Sequence, residues 1–340
     1  MFFRKTLAIF RIIPYNKYNR TRHASELPLA FYAQPGGTFF YAGGQKMTLY
    51  PKRILSIPEQ LQSYIDGGMI IDSTDRALVA LDSIGYYRLR GYCYHLYDNA
   101  TKQYQSGTKF DDVLSLYRFD SELSHLIFAA LTEIEVALRS RLSDSLLVYG
   151  DALVLFDPTK FNEKTKYWNN LGALSSEIAR SNDVFVQHNF DHHDGQMPLW
   201  AAVEVMTFGN LSKTIKNLKN DTTGASSKLR SHYMFISQSG NEAVPSAKMF
   251  TSWIQAVSVL RNVCAHNSRI YNRTFNTIPE LLNSDQIRPV PRMVGLYHIL
   301  LAIKYLRPSD EAWTSFVGNI NVTFAKYAGV IDYSKLGFPA

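Results

Sequence analysis

The residues of this chain best suited to chemistry are an arginine and a histidine, Arg261 and His266, which stand five positions apart. Arginine is a permanent cation whose planar group binds pairs of phosphate oxygens, and histidine exchanges a proton near neutral pH. A phosphate ligand beside a proton acceptor is what cleavage of RNA without a metal ion requires. Asn262, Arg269 and Arg273 belong to the same polar segment.

The segment that precedes the histidine has a helical period and predicts a helix over residues 247–264. Its apolar positions follow one another at spacings of four, three and four: Trp253, Val257, Leu260 and Cys264. On an ideal helix, residues five apart differ by about 140° in direction and ~7.5 Å in rise. Arg261 and His266 therefore meet only if the arginine reaches round, if the helix bends or ends between them, or if two copies of the chain come together. The alternative is an arginine that caps carbonyl groups at a helix end and a histidine packed under a loop.

The composition indicates a folded protein with an anionic partner. Of the 340 residues, 46% are hydrophobic and 19% charged, which excludes a disordered chain, and the net charge of +7 favours nucleic acid over a small acidic molecule. Cys93 and Cys264 cannot form a disulfide framework, and no apolar run approaches the ~20 residues of a membrane span. Because Arg11 interrupts the apolar stretch near the N-terminus, we predict no export. We expect a cytoplasmic protein without a membrane partner.

Periodicity predicts a mainly α protein whose strongest helix covers residues 111–148. The apolar stripe of that helix comprises Leu123, Ile127, Leu131, Ile134, Leu138, Leu142 and Leu146. Further helices are expected from Ser56 to Ile65 and over 72–81, 163–180, 198–217, 292–306 and 309–328, the first with a capping box of Ser56 and Glu59. We expect a polar loop at 182–197 and a loop with a short helix at 221–246, and we find no convincing strand alternation.

Three regions follow from these patterns. Residues 1–46 lack a sustained period and contain two pairs of glycines, so we predict a flexible N-terminal extension there. Residues 47–107 are an N-terminal helical region, and residues 108–340 are the main helical domain.

Other polar groups have both functional and structural interpretations. Glu135 and Arg139 stand four apart on the strongest helix, either as a surface ion pair or as part of the site. Arg88 and Arg90 alternate with tyrosines and are candidate RNA contacts, although a structural segment is the alternative. The cluster of histidines and aspartates at 188–194 reads as a polar loop, so we predict no metal site.

Several segments, in this order along the chain, resemble one family. They are residues 84–92 (IGYYRLRGY), 134–140 (IEVALRS), 197–200 (MPLW), 207–212 (TFGNLS), 261–273 (RNVCAHNSRIYNR) and 336–339 (LGFP). Together they resemble bacterial Abi-like abortive-infection proteins of the AbiD/AbiF type, within the HEPN superfamily of α-helical ribonucleases. The chain departs from that pattern at Tyr271, where these proteins usually have tryptophan, and at Asn267, which is often histidine.

The resemblance implies a HEPN-type helical bundle with an additional N-terminal helical region, acting as an endoribonuclease without metal or other cofactor. It assigns proton transfer to His266 and phosphate binding to Arg261. Four residues would support them: Asn262, Glu135, Arg139 and Arg269. Arg88, Arg90 and Arg273 would contact RNA. Such nucleases pair two motifs and this chain has one, so the resemblance implies a homodimer.

Two alternatives from other classes stay open. The first is an RNA-binding module that keeps the fold without turnover. The second is a HEPN toxin silenced by a partner antitoxin or by a nucleotidyltransferase, with Tyr271 as the acceptor. A regulatory RNA or an antitoxin protein would then join RNA among the partners.

Overall fold

A computed structural model describes residues 53–285 and 294–339, together with three short strands nearer the N-terminus. The chain divides into two compact units, residues 1–55 and residues 56–340. The predicted mainly α class is confirmed, because helices dominate the described residues. None of the helices in these ranges is long and apolar enough to pass through a lipid bilayer.

The first unit contains a three-stranded antiparallel sheet. Its strands are β1 (Tyr32–Ala33), β2 (Phe39–Phe40) and β3 (Lys46–Met47), in that order across the sheet. Tyr32 pairs with Phe40, and Phe39 pairs with Met47. The predicted flexible extension over 1–46 otherwise lies outside the described residues.

The second unit is built from twelve described helices. They are α1 (Ile57–Asp66), α2 (Thr74–Ser83), α3 (Tyr86–Cys93), α4 (Phe110–Leu146), α5 (Lys164–Arg180), α6 (Val184–His192), α7 (Leu199–Val205), α8 (Phe208–Asn217), α9 (Ala225–Ser231), α10 (Ala247–Ala265), α11 (Leu296–Leu306) and α12 (Asp310–Lys326). The capping box is confirmed, because Ser56 donates its backbone N–H to Glu59 Oε2 at 2.8 Å. Within α1, Leu61 and Tyr64 are buried and Ile65 is exposed.

Helix α4 is the centre of the second unit. Its 37 residues extend over roughly 55 Å, and every member of the predicted apolar stripe from Leu123 to Leu146 is buried. Helices α3, α7, α9, α10, α11 and α12 pack against it. The core therefore surrounds α4, and residues on its polar positions are held rigidly relative to α3 and α10.

Two expectations for the middle of the chain were wrong. The predicted polar loop at 182–197 contains α6, in which Val186 and Asn189 are buried. The predicted single helix over 198–217 is two helices, because Met206 is extended and Thr207 caps α8 by accepting the Asn210 N–H at 3.2 Å.

Two short hairpins lie where the sequence shows no convincing strand alternation. Strands β4 (Tyr97–Asp98) and β5 (Gln103–Tyr104) form one hairpin, and β6 (Phe235–Ile236) and β7 (Glu242–Ala243) form another. Each strand has two residues, which is too short for an alternating pattern to be recognised in the sequence.

Candidate active site

The candidate site begins where α10 ends. The Asn267 N–H donates to Cys264 O and the Ser268 N–H to Val263 O, both at 2.9 Å, and Asn267 has a positive φ of 49°. This is the Schellman arrangement, in which a left-handed residue stops a helix and reverses the chain. The helix therefore ends at Ala265, between Arg261 and His266, which is one of the arrangements that the sequence left open.

The loop after α10 is held by a buried carboxylate on α4. Asp120 accepts the Tyr92 hydroxyl at 2.7 Å, the Tyr271 N–H at 2.6 Å and the Ile270 N–H at 3.0 Å. The side chain is only 3% exposed, and this burial raises the pKa of Asp120 above its ordinary value although the three donors act in the opposite direction. Asp120 was not predicted from the sequence. It could have been recognised as a carboxylate three positions before Leu123, on the face of α4 that carries the apolar stripe.

Helix α3 also forms hydrogen bonds with this loop. Arg88 donates from Nη1 to the Asn267 carbonyl at 2.6 Å, and Arg269 donates from Nη1 to the Gly91 carbonyl. Gly85 has a φ of 92° and caps the start of α3, which explains a glycine before the tyrosines of this segment. The tyrosine-rich segment with Arg88 and Arg90 is thus a helix, and it brings Arg88 to the Asn267 carbonyl, next to His266 in the chain.

Residues near the C-terminus complete the support of the loop. The Asn272 N–H donates to Lys335 O at 3.0 Å, and the Tyr271 hydroxyl accepts the Asp332 N–H at 3.1 Å. A Cβ atom added to Gly295 would lie 2.7 Å from the Gly337 Cα atom, so the two backbones touch. The loop is therefore fixed by α3, α4 and a C-terminal 3-10 turn (Tyr333–Leu336) together.

A groove with two lobes opens between α3, α4 and this loop. The His266 lobe has a volume of about 540 Å³ and the Asp120 lobe about 320 Å³. Both lobes are lined by Arg88, Tyr92, Asn267 and Ser268. The His266 lobe adds Ile84, Gly85, Tyr87, Gly91, His266, Arg269 and Arg273, and the Asp120 lobe adds Tyr117, Asp120, Ser121, Ser124 and His125. The four shared residues show that the two lobes are neighbours.

The groove is cationic. Arg88, Arg269 and Arg273 line it, and within the described ranges none of their guanidinium groups forms an ion pair with a carboxylate. Asp120 is the one acidic residue among the described lining residues, and its oxygens are occupied by the donors named above. Such a surface binds phosphate groups through charge-assisted hydrogen bonds.

Arg261 lies in a separate network. Its Nε atom is 3.4 Å from Glu135 Oε2, and its guanidinium lies 5.9 Å from the centre of the Phe128 ring. Glu135, which is buried, also accepts Arg139 Nη2 at 2.7 Å, and Arg139 donates to Met206 O at the break between α7 and α8. Among the described residues that line the groove, Arg261 is absent. The structure thus brings the Glu135, Arg139 and Arg261 side chains together, but apart from the lining of the groove.

The remaining predicted residues fall outside both sets. Arg90 donates to the Tyr86 hydroxyl at 2.9 Å and lies 5.2 Å from the centre of the Tyr97 ring, so it is enclosed by aromatic side chains. Asn262 is exposed on α10, and its carbonyl accepts the His266 N–H at 3.1 Å. Neither residue lines the described groove.

Three further expectations concern reactive groups. Tyr271 is 1% exposed, so the folded chain does not present it as an acceptor for a nucleotide. Cys264 is buried as predicted, and burial raises the pKa of its thiol to about 11. The histidines at 188–193 lie partly on α6, and no group of three or more acidic, histidine or cysteine side chains in the described ranges is arranged to hold a metal ion.

The described residues thus form a helical unit with a cationic groove that is lined by a histidine. The model of the family described as Abi-like protein matches residues 79–272, more than half of the chain, so this chain belongs to that family. The match includes every groove residue except Arg273. The family indicates an abortive-infection function. None of the curated proteins and none of the solved structures matches the chain significantly.

Proposed function

We propose that this protein is a metal-independent endoribonuclease of the HEPN type that acts on RNA in the cytoplasm during abortive infection. The observation that carries the proposal is the position of His266, which lines one groove with Arg88, Arg269 and Arg273. Three arginines without carboxylate partners among the described residues supply phosphate ligands, and an exposed imidazole beside them is accessible to the ribose of a bound strand.

The chemistry follows from these groups. His266 accepts the proton of a ribose 2′-hydroxyl while that oxygen attacks the adjacent phosphorus. The bond from phosphorus to the 5′-oxygen breaks, which leaves a 2′,3′-cyclic phosphate and a 5′-hydroxyl end. The groove arginines stabilise the charge that develops on the phosphoryl oxygens, and the need for a 2′-hydroxyl restricts the reaction to RNA.

Arg261 has a place in the same proposal. Glu135 and Arg139 fix it on α10, about one and a half turns before His266, with part of its side chain exposed. We assign to it the phosphate contact that the family resemblance implies. Because the groove that holds His266 lacks Arg261 among its described lining residues, we propose that two copies associate and that Arg261 of one copy faces the groove of the other.

The test is cleavage of a single-stranded RNA by purified protein in the presence of EDTA. His266→Ala is expected to lower the cleavage rate by about 10²–10⁴-fold, the usual contribution of an acid–base residue, with the fold unchanged. His192→Ala is the matched control, since His192 is an exposed histidine on α6 away from the groove, and it should cleave at the wild-type rate. If the His266 variant cuts as fast as the control, the assigned site is wrong.

A non-catalytic RNA-binding module is the second candidate. Within the described residues no side chain donates to or accepts from the His266 imidazole, whereas a catalytic base is usually oriented by a partner. Under this alternative the groove binds RNA through its arginines and no strand is cut. Binding that depends on Arg273, together with intact RNA after prolonged incubation, would favour the module over the nuclease.

A further inference from the structure

A second histidine, His125, lies in the groove that contains His266. It is an exposed residue of α4 and lines the Asp120 lobe, whereas His266 lines the other lobe. The two lobes share Arg88, Tyr92, Asn267 and Ser268, so the two histidines line neighbouring lobes on either side of these four residues. Nothing in the pattern around Arg261 draws attention to His125, which stands 141 positions before His266.

The position of His125 is set by the helix that carries it. Ser121 and His125 are four residues apart, as are Asp120 and Ser124, so the four side chains occupy one face of α4. On this face of α4, Asp120 and Ser124 are buried, and the exposed imidazole of His125 lines the Asp120 lobe.

Cleavage needs a proton donor as well as a proton acceptor. When the bond from phosphorus to the 5′-oxygen breaks, that oxygen becomes an alkoxide unless it receives a proton. Among the described lining residues, His125 and His266 are the two whose side-chain type exchanges a proton near neutral pH. Tyr92 does not serve, because its hydroxyl donates to Asp120 and burial raises its pKa.

We propose that His125 is the general acid of the reaction, protonating the 5′-oxygen while His266 takes the 2′-hydroxyl proton. This role rests on the proposed function. In the balanced step, the bond from the 2′-oxygen to phosphorus forms and the bond from phosphorus to the 5′-oxygen breaks. The 2′-proton moves to His266, and a proton from His125 moves to the leaving oxygen. One chain then contributes both acid–base groups from one groove.

The other charged and titratable groups of the Asp120 lobe come from α3 and α4. They are Arg88 and Tyr92 on α3, and Tyr117 and Asp120 on α4. Arg88 is positioned to hold the phosphate between the two histidines, since it lines both lobes. Asp120 already accepts hydrogen bonds from Tyr92 and from the loop amides. His125 is therefore the side chain of this lobe that is available to donate a proton.

The experiment compares two RNA substrates, one natural and one with sulfur in place of the 5′-bridging oxygen at a single linkage. A thiolate leaves without protonation, so this substrate does not need a general acid. His125→Gln is expected to cut the natural linkage about 10²–10⁴-fold more slowly than wild type and the sulfur linkage within a few-fold of wild type. His266→Gln is expected to be impaired on both substrates. The pH profile of His125→Gln should lose the fall in rate at high pH, because a general acid acts only when protonated.

The outcomes separate this role from the proposed function. His125→Gln that cuts natural RNA at the wild-type rate, or that is slowed equally on both substrates, overturns the role of His125 while the nuclease assignment stands. A wild-type protein that cuts neither substrate overturns the proposed function, and this role with it. Circular dichroism and a thermal melt of His125→Gln establish that the variant is folded.

Discussion

The carboxylate of Asp120 and the backbone N–H of Tyr271 are joined at 2.6 Å across 151 positions of the chain. One buried side chain of α4 thereby fixes the loop that follows α10 and carries His266 at its start. The loop has little regular structure of its own, so its conformation depends on this contact and on the contacts of α3 and the C-terminal turn.

Replacing Asp120 by asparagine tests this dependence. The amide keeps one acceptor, but its NH₂ group would face the donors that now point at the carboxylate. We expect the free energy of unfolding to fall by about 1–3 kcal/mol and cleavage to fall with it. Asp112→Asn on the exposed face of the same helix should change stability by less than about 1 kcal/mol. Urea denaturation of the two variants measures the difference, and equal losses would contradict the role of the contact.

The groove arginines should give RNA binding a measurable salt dependence. Each phosphate contact to single-stranded RNA adds about 0.7 to the slope of log affinity against log salt. Arg273→Ala is therefore expected to weaken binding and to reduce that slope by about 0.7. Arg180→Ala, an exposed arginine on α5, should leave the slope unchanged. Fluorescence anisotropy of a labelled RNA at several salt concentrations gives both values, and identical slopes for the two variants would exclude Arg273 as a phosphate ligand.

A composite site of two copies predicts complementation. If Arg261 of one copy acts with His266 of the other, a mixed dimer of Arg261→Ala and His266→Ala chains has one intact site. We expect each variant alone to be inactive and an equimolar mixture to recover up to a quarter of the wild-type rate, since about half of the dimers are mixed and each has one of two sites. A mixture as inactive as its components would place both residues in the same copy or remove Arg261 from the reaction.

The buried histidine of α11 predicts a loss of stability in acid. His298 is 6% exposed, neither ring nitrogen has a hydrogen-bond partner in the described residues, and burial lowers its pKa below the ordinary 6.5. Below that pH the unfolded chain binds a proton that the folded chain does not, so the free energy of unfolding falls as pH decreases.

His298→Phe should make the pH dependence shallower than in wild type. Some dependence remains, because burial lowers the pKa of His95 as well. His192→Phe, at an exposed position, should retain the wild-type slope. Urea denaturation at pH 7.5 and 5.5 compares the three proteins, and a slope for His298→Phe equal to that of wild type would mean that this histidine does not contribute.

The contact of Gly295 with Gly337 predicts the effect of one added methyl group. Gly295→Ala would place its Cβ atom 2.7 Å from the Gly337 Cα atom and from the Leu336 carbonyl oxygen, both on backbone. We expect a loss of about 1–3 kcal/mol of stability. Gly318→Ala in α12 meets nothing within 4 Å and should stabilise the helix by about 0.5–1 kcal/mol. Thermal melts that shift in the same direction for both variants would contradict the close approach.

The regular parts of the fold were predictable because their signals are local. The stripe from Leu123 to Leu146 repeats on a helical period and is buried, and the Ser56 capping box begins α1 where expected. The errors occurred where tertiary contacts override the pattern. Met206 is extended between α7 and α8, and Arg139 binds its carbonyl from a distant helix, which no local spacing reveals.

The sequence predicted several residues that line the groove, but it did not predict which of the candidate residues lie together. Arg88, His266, Arg269 and Arg273 were predicted from two separate segments, and the structure brings them to one groove. Arg261 joins Glu135 instead, because α10 ends at Ala265 and the left-handed Asn267 turns the chain away. Asp120 was missed because its contacts with Ile270 and Tyr271 span about 150 positions, and His125 because its place in the lining depends on the packing of α3 and α4.

The anchoring of the loop by Asp332 and Lys335 bears on how the protein is made. The ribosome makes the loop about sixty residues before it adds Lys335, so during that interval the Asn272 N–H and the Tyr271 hydroxyl lack their partners at Lys335 and Asp332. A growing chain thus passes through a period in which α3, α4 and α10 have been made while the C-terminal contacts of the loop are missing. For a protein of abortive infection, this order of synthesis delays the finished groove until the residues around Lys335 have been made.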